Sequence, residues 1–280
     1  MKQKFYKKIW FKITCGVVGA VLLILLIVKG GIELVAATYS VWSPDYDMVD
    51  IDPILKKETL TDEDYNILFE QTGITKTGID DMLSKGQKLQ IKRIQRDFFK
   101  EPDFECNQFH FCVGMFVNKD YGVSAHVPLQ DGDIIYSPST YISFIDISHA
   151  AIVINNGTEV VEAFGYGNPT QISSASRFFR YAEFVVLRPK AGSELGKKVA
   201  EYVENNMLDI PYDILTGILG PKAPDPLKTT HCSHLPWYAY YKFGVDVDSN
   251  GGKIVTPADI LYSDDLEVVQ VFGMDVNKFK

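Results

Sequence analysis

Hydrophobic and polar positions divide this chain into a leading apolar stretch, a helical section and a strand-rich remainder. Lysines crowd the start, and from Ile13 to Val28 sixteen residues run without a charge. A helix needs about 20 apolar residues to cross a bilayer, so the flanks must contribute. Lys12 can snorkel so that Ile9 to Val28 spans, or Lys29 can pair with Glu33 one turn later while the helix continues toward Ala37. Pro44 and Pro53 then punctuate a segment that reads as a stalk. Thr61 is placed to cap a helix over Asp62–Phe69 that Gly73 ends, and a second helix is predicted from Thr77 to Leu83. A third runs from Leu89 to Phe99, with Ile91, Ile94, Phe98 and Phe99 on one side. Beyond it the pattern becomes that of strands: Gly132–Tyr136, Phe184–Leu187 closed by Arg188-Pro189, and Leu266–Phe272. Between the last two lies an amphipathic helix, Glu194–Met207, with a stripe of Leu195, Val199, Tyr202 and Val203. The prediction is an α+β fold behind an N-terminal transmembrane helix. Its parts are a basic leader (1–12), an anchor or uncleaved signal (13–37), a stalk (38–56), a helical first part of the globular domain (57–125) and a core (126–280).

The strand pattern around His149 carries candidate chemistry. His149–Ile154 is apolar and β-branched, Asn155-Asn156-Gly157 makes a turn, and Thr158–Phe164 resumes the strand pattern, so the segment reads as a hairpin. With Asn156 and Gly157 in the turn, Val153 faces Val160, Ala151 faces Glu162 and His149 faces Phe164. Strand alternation then puts His149 and Glu162 on one face as diagonal neighbours. A carboxylate there can hold the imidazole in one tautomer and stabilise its charged form. A slip of one residue would separate them, so the pairing depends on the turn.

A nucleophile is offered by Thr230-His231-Cys232-Ser233-His234-Leu235-Pro236-Trp237. Pro236 is accommodated in a helix's first turn, and Ser233 is the natural N-cap before it. Cys232 therefore stands at a helix mouth, where unpaired amides and the dipole favour a thiolate. His231 and His234 are either solvated or part of the site. Their spacing matches no paired metal-ligand pattern, and neither a metal nor another cofactor is expected. Trp237, Tyr238, Tyr240 and Tyr241 would line a pocket or, at helical spacing, fill a core.

Several runs occur in order: Leu60-Thr61-Asp62-Glu63-Asp64-Tyr65 with Gln71-Thr72-Gly73, Gln130-Asp131-Gly132-Asp133-Ile134-Ile135, Ser148-His149-Ala150, Val161-Glu162-Ala163, Pro211-Tyr212-Asp213, Cys232-Ser233, and Thr256-Pro257-Ala258-Asp259-Ile260. Together, from about Leu60 to the C-terminus, the chain resembles the permuted papain-like cysteine hydrolases of the YiiX/YaeF type, circularly rearranged relatives of the NlpC/P60 cell-wall peptidases. The resemblance implies a papain-like core in which an antiparallel sheet packs on the cysteine-bearing helix. It implies Cys232 as nucleophile, His149 as base and Glu162 as third residue, with Tyr212 as a substrate or oxyanion contact. The amides of Cys232 and Ser233 are the expected oxyanion donors. One departure is His234, where the family often has an acidic residue. An amide or peptide bond, in a cell-wall peptide or an acyl amide, is the implied target, with cell wall or lipid as the implied partner. Acyl transfer on the same site, or an inactive binding module, are the alternatives.

Charge changes the picture in two ways. The formal net charge of −8 includes the basic leader, so the rest is more acidic still, which argues against nucleic acid as a partner. Five lysines precede the apolar run, which places the N-terminus in the cytoplasm and everything after Lys29 outside the cell membrane. A cleaved signal with a site near Val35-Ala36-Ala37 is the rival to a single-pass anchor. Cys15 lies within the apolar run. Cys106 and Cys112 are either an extracytoplasmic disulfide or two free thiols.

Overall fold

A computed structural model describes residues 2–119 and 122–279. Its first element is a long apolar helix, α1 (Lys2–Thr38), of which Trp10–Thr38 is long and apolar enough to cross a membrane. Length and composition suit an anchor and a signal sequence alike.

The segment expected as a stalk does not stand free. Trp42 donates its N–H to Gly273 O at 3.1 Å, Tyr46 donates to Glu70 O at 2.6 Å, and Val49 N–H donates to Gln71 Oε1 at 2.9 Å. Ile51 and Leu55, the latter ending the short α2 (Asp52–Leu55), are buried. Prolines in this stretch signal the absence of long regular structure, but apolar residues between them give it a reason to lie on the body.

Three helices follow: α3 (Asp62–Thr72), α4 (Lys76–Ser84) and α5 (Lys88–Phe98). The capping box is present at Thr61, which accepts from Asp64 N while the Asp64 carboxylate accepts from Thr61 N. Gly73 ends α3 at φ 68°, and a Cβ there would lie 2.1 Å from Val271 O, so only glycine fits. The part expected to be helical also contains strands β1 (Phe104–His110) and β2 (Val113–Asn118). With β4 (Thr140–Ile142) and β5 (Ile145–Asp146) they form a four-stranded antiparallel sheet, in the order β1-β2-β4-β5. Alternation in β1 is weak, because Glu105, Asn107 and Gln108 dilute it, and its partners lie against α1.

The main sheet is antiparallel, in the order β10-β9-β3-β6-β7-β8. It comprises β3 (Ile134–Ser137), β6 (His149–Ile154), β7 (Glu159–Glu162), β8 (Gln171–Ser174), β9 (Phe184–Pro189) and β10 (Leu266–Phe272). Both faces are covered. Ile134, Ala150, Ile152 and Leu187 pack with α6 (Ser193–Asn206) and α7 (His234–Tyr241), while Ile135, Ala151, Val153 and Val186 pack with α3, α4 and α5. That is why β6 reads as a continuous apolar run. A short α8 (Pro257–Leu261), capped by Thr256, precedes β10. Beneath the turn before β3, buried Asp133 accepts Arg188 Nε at 2.9 Å and Nη2 at 2.8 Å. This forked pair ties β3 to β9 beside the central strand.

Candidate active site

Hairpin β6–β7 sets the base. Val153 pairs with Val160 and Ile152 with Val161, which is the register read from the sequence. Asn155, Asn156 and Gly157 all take positive φ (54°, 54° and 81°), a conformation asparagine and glycine tolerate best. Continued by one pair, this register sets Glu162 opposite Ala151 and diagonal to His149. His149 Nε2 donates to Glu162 Oε2 at 2.9 Å, with Glu162 wholly buried.

Arg177, from the 3₁₀ turn Ala175–Arg180, donates to the other carboxylate oxygen at 2.7 Å. Burial would push the Glu162 carboxyl up, but the His149 hydrogen bond and the charges of His149 and Arg177 hold it below its ordinary value. It stays a carboxylate. The His149 ring lies flat against Phe178 at 5.4 Å and meets Phe164 edge-on at 5.8 Å, so its plane is fixed on two sides. An arginine in a polar loop has no spacing signal, and Arg177 was not legible in the sequence.

Cys232 arrives from the other layer. Thr230 pairs with Tyr212 in a parallel bridge, and Asp213 N–H donates to Thr230 O at 2.8 Å, which fixes the approach to α7. Ser233 holds the cap position, yet its hydroxyl donates to Val255 O at 2.8 Å and makes no capping bond. The Ser233 side chain is buried and its hydroxyl is engaged by Val255 O, which leaves its backbone N–H for the expected contact. Among the described residues, the N–H groups of Cys232 and Ser233 have no protein acceptor. Pro236 falls in the first turn of α7, and α7 packs on β6, which brings Cys232 to His149.

Cys232 is half-buried as a residue, while His149 and His231 are buried. Burial raises the Cys232 thiol, but hydrogen bonds with His149 and His231, and their charges, outweigh it and bring the thiol down to about 5. For His149, burial disfavours the charged ring, while hydrogen bonds to Cys232 and Glu162 and the charge on each raise it to about 9. Since Nε2 serves Glu162, Nδ1 is the nitrogen left for the sulfur. The two shifts point the same way, toward thiolate and imidazolium.

The remaining candidates separate. Tyr212 is held edge-on against Tyr166 at 5.1 Å, and burial together with the charge of Cys232 pushes its phenol up, so it keeps its proton and can donate. His234 is a core residue: Thr230 Oγ1 donates to its Nδ1 at 3.0 Å, its Nε2 donates to Lys222 O at 2.7 Å, and burial lowers it to about 4. Trp237, Tyr238 and Tyr240 are buried in the core, leaving Tyr241 outside it. Cys106 and Cys112 are unjoined thiols. Among the described residues, no group of three histidine, cysteine or acidic side chains is placed to hold a metal ion.

A surface cavity of about 300 Å³ lies elsewhere, against Trp42, Phe98, Phe104 and Gly273, and its described lining has no histidine or cysteine.

No family model, no curated protein and no solved structure matches this chain.

Proposed function

We propose that this chain is a membrane-anchored cysteine hydrolase that cleaves an amide or peptide bond through an acyl-enzyme. One observation carries the reading: the buried Glu162 carboxylate accepts from the His149 ring at 2.9 Å, and His149 and Cys232 shift each other's titration toward imidazolium and thiolate. Support also comes from the order of these residues along the chain and from the packing of the cysteine-bearing helix on the histidine-bearing sheet, both in keeping with a permuted papain-like core.

The thiolate of Cys232 attacks the carbonyl carbon, and the carbonyl oxygen takes up the electron pair as an oxyanion. Backbone N–H groups of Cys232 and Ser233, with the Tyr212 hydroxyl, are the donors within the cleft for that charge. As the tetrahedral intermediate collapses, the C–N bond breaks and His149 Nδ1 gives its proton to the leaving amine. Water then attacks the thioester, His149 takes a proton from it, and collapse releases the acid and restores the thiolate. Glu162, neutralised on its far side by Arg177, keeps the ring oriented and stabilises its charge throughout.

Burial of Trp237, Tyr238 and Tyr240 weakens the alternative of an inactive binding module, because the aromatic pocket it would use is core. In this reading α1 is retained, the lysine-rich start is cytoplasmic and the body lies outside the cell.

Iodoacetamide labelling tests the thiolate directly. Cys232 should react near neutral pH faster than a model thiol, and the rate should fall in His149→Ala. In a screen against wall peptides, acyl amides and lipid esters, Cys232→Ser and His149→Ala should abolish turnover and Glu162→Gln should weaken it. Undiminished turnover in Cys232→Ala would end the thiol mechanism.

A further inference from the structure

We propose that the paired tips of the small sheet, the β1–β2 turn at Phe111 and the β4–β5 turn at Phe144 and Ile145, dock into the outer leaflet of the bilayer that α1 crosses. This inference rests on the reading of α1 as a retained membrane span.

Contacts along α1 set the level of each strand. Near its end, Tyr39 meets Phe104 edge-on at 5.3 Å. Further back, Ile32 is fully buried, and a Cβ on Gly114 would lie 3.2 Å from it. Gly31 lies so close to the second turn that a Cβ there would fall 2.1 Å from Ser143 Oγ and 3.0 Å from the Phe144 ring. Lys29 Nζ donates to Gln108 Oε1 at 2.6 Å.

Strand β1 therefore runs back along α1 toward the apolar span, with Gln108 level with Lys29. Phe111 lies three residues further, roughly 7–10 Å at strand rise. On the helix that distance corresponds to about five residues, which takes the tip alongside the last turns of the uncharged run. If those turns are in lipid, so is the tip.

The tip is built for that place. Phe111, Phe144 and Ile145 are 54%, 61% and 54% exposed, although each is large and apolar. Ser143 N–H donates to Cys112 O at 2.6 Å, so the two turns move as one and a polar backbone group is satisfied between them. Lys29, paired with Glu33 at 3.4 Å, sits where a cation meets headgroup phosphates. An amphipathic surface penetrates about 5–10 Å into the boundary between headgroups and acyl chains, which matches the reach of these turns.

Docking of this kind also positions the cleft. Phe109 of β1, about two strand residues or 7 Å from Phe111, contacts Phe164 at 5.2 Å, and Phe164 in turn packs on His149. The hairpin that enters the leaflet thus reaches the aromatic slot of the base, and holds that slot at the membrane surface.

Photocrosslinking of the full chain in phosphatidylcholine–phosphatidylglycerol vesicles tests the proposal. Benzoylphenylalanine is installed in place of Phe111, Phe144, Leu22 or Leu89, and lipid adducts are read by mass, after melting curves confirm folding. Leu22 lies in the apolar run and Leu89 is exposed on α5. The expected result is lipid adducts at Leu22, Phe111 and Phe144, each about tenfold above Leu89. Adducts at Leu22 alone overturn the docking and leave the span intact. Adducts at none of these positions overturn both, and a protein–protein adduct at Phe111 or Phe144 assigns the tips to a second copy instead.

Discussion

Cys232 and His149 each shift the other's titration, with His231 adding to the effect on the thiol and Glu162 to that on the ring. Removing the imidazole takes from the thiol its main partner, and removing the sulfur leaves a buried ring whose charged form only Glu162 then supports. The pair is competent between the lowered thiol titration near 5 and the raised imidazole titration near 9. A plot of kcat/KM against pH should therefore rise through about 5, hold across neutrality and fall as pH passes about 9. A profile that still climbs above pH 8, as an ordinary thiol would give, contradicts the ion pair. His149→Ala should cost at least about the hundred- to ten-thousand-fold in kcat/KM of a lost general acid–base group, and Glu162→Gln less. Cys232, His149 and Glu162 were legible because each sits beside a strong local signal: Pro236 after the cysteine, an Asn-Asn-Gly turn between the other two. Arg177 and the buried role of His234 were not, since both depend on neighbours brought by folding.

Hairpin β6–β7 turns that local signal into geometry. Its register is held by three consecutive positive-φ residues, and a Cβ on Gly157 would lie 2.5 Å from Leu129 O. Gly157→Ala should cost about 1–3 kcal/mol of stability by urea unfolding, through backbone strain and the close approach. An unchanged unfolding midpoint would show that the turn does not hold the register. Helices were read well where caps are explicit, as at Thr61 and Gly73. Strands β1, β2, β4, β5 and β8 escaped notice because they are short or polar. Such strands are stabilised by their cross-strand partners, which a window along the chain does not contain.

Around these elements, α1 and residues 38–56 are part of the body. Tyr39 stacks on Phe116 at 3.5 Å and hydrogen-bonds Glu183, while Ile32 is buried against the small sheet. A soluble form beginning at Lys29 should therefore melt roughly 10 °C above one beginning at Ser43, reflecting about 4 kcal/mol from one aromatic and one aliphatic core side chain. Equal melting temperatures would mean that the end of α1 does not hold the fold together. Protease added to intact cells should digest the body, and complete protection would reverse the topology. Read alone, the order of amino acids established the apolar helix, the three helices after it, the hairpin register and the residue types for a thiol site. Those features arise from forces acting within a few residues: caps, turn φ angles and hydrophobic period. Folding in three dimensions brought α7 onto β6 so that sulfur meets imidazole, supplied Arg177 behind Glu162, sent His234 and the aromatics into the core, and laid the stalk on the body. Each of these is a contact between segments remote in the chain, chosen by which apolar faces bury one another, and no local pattern encodes that choice.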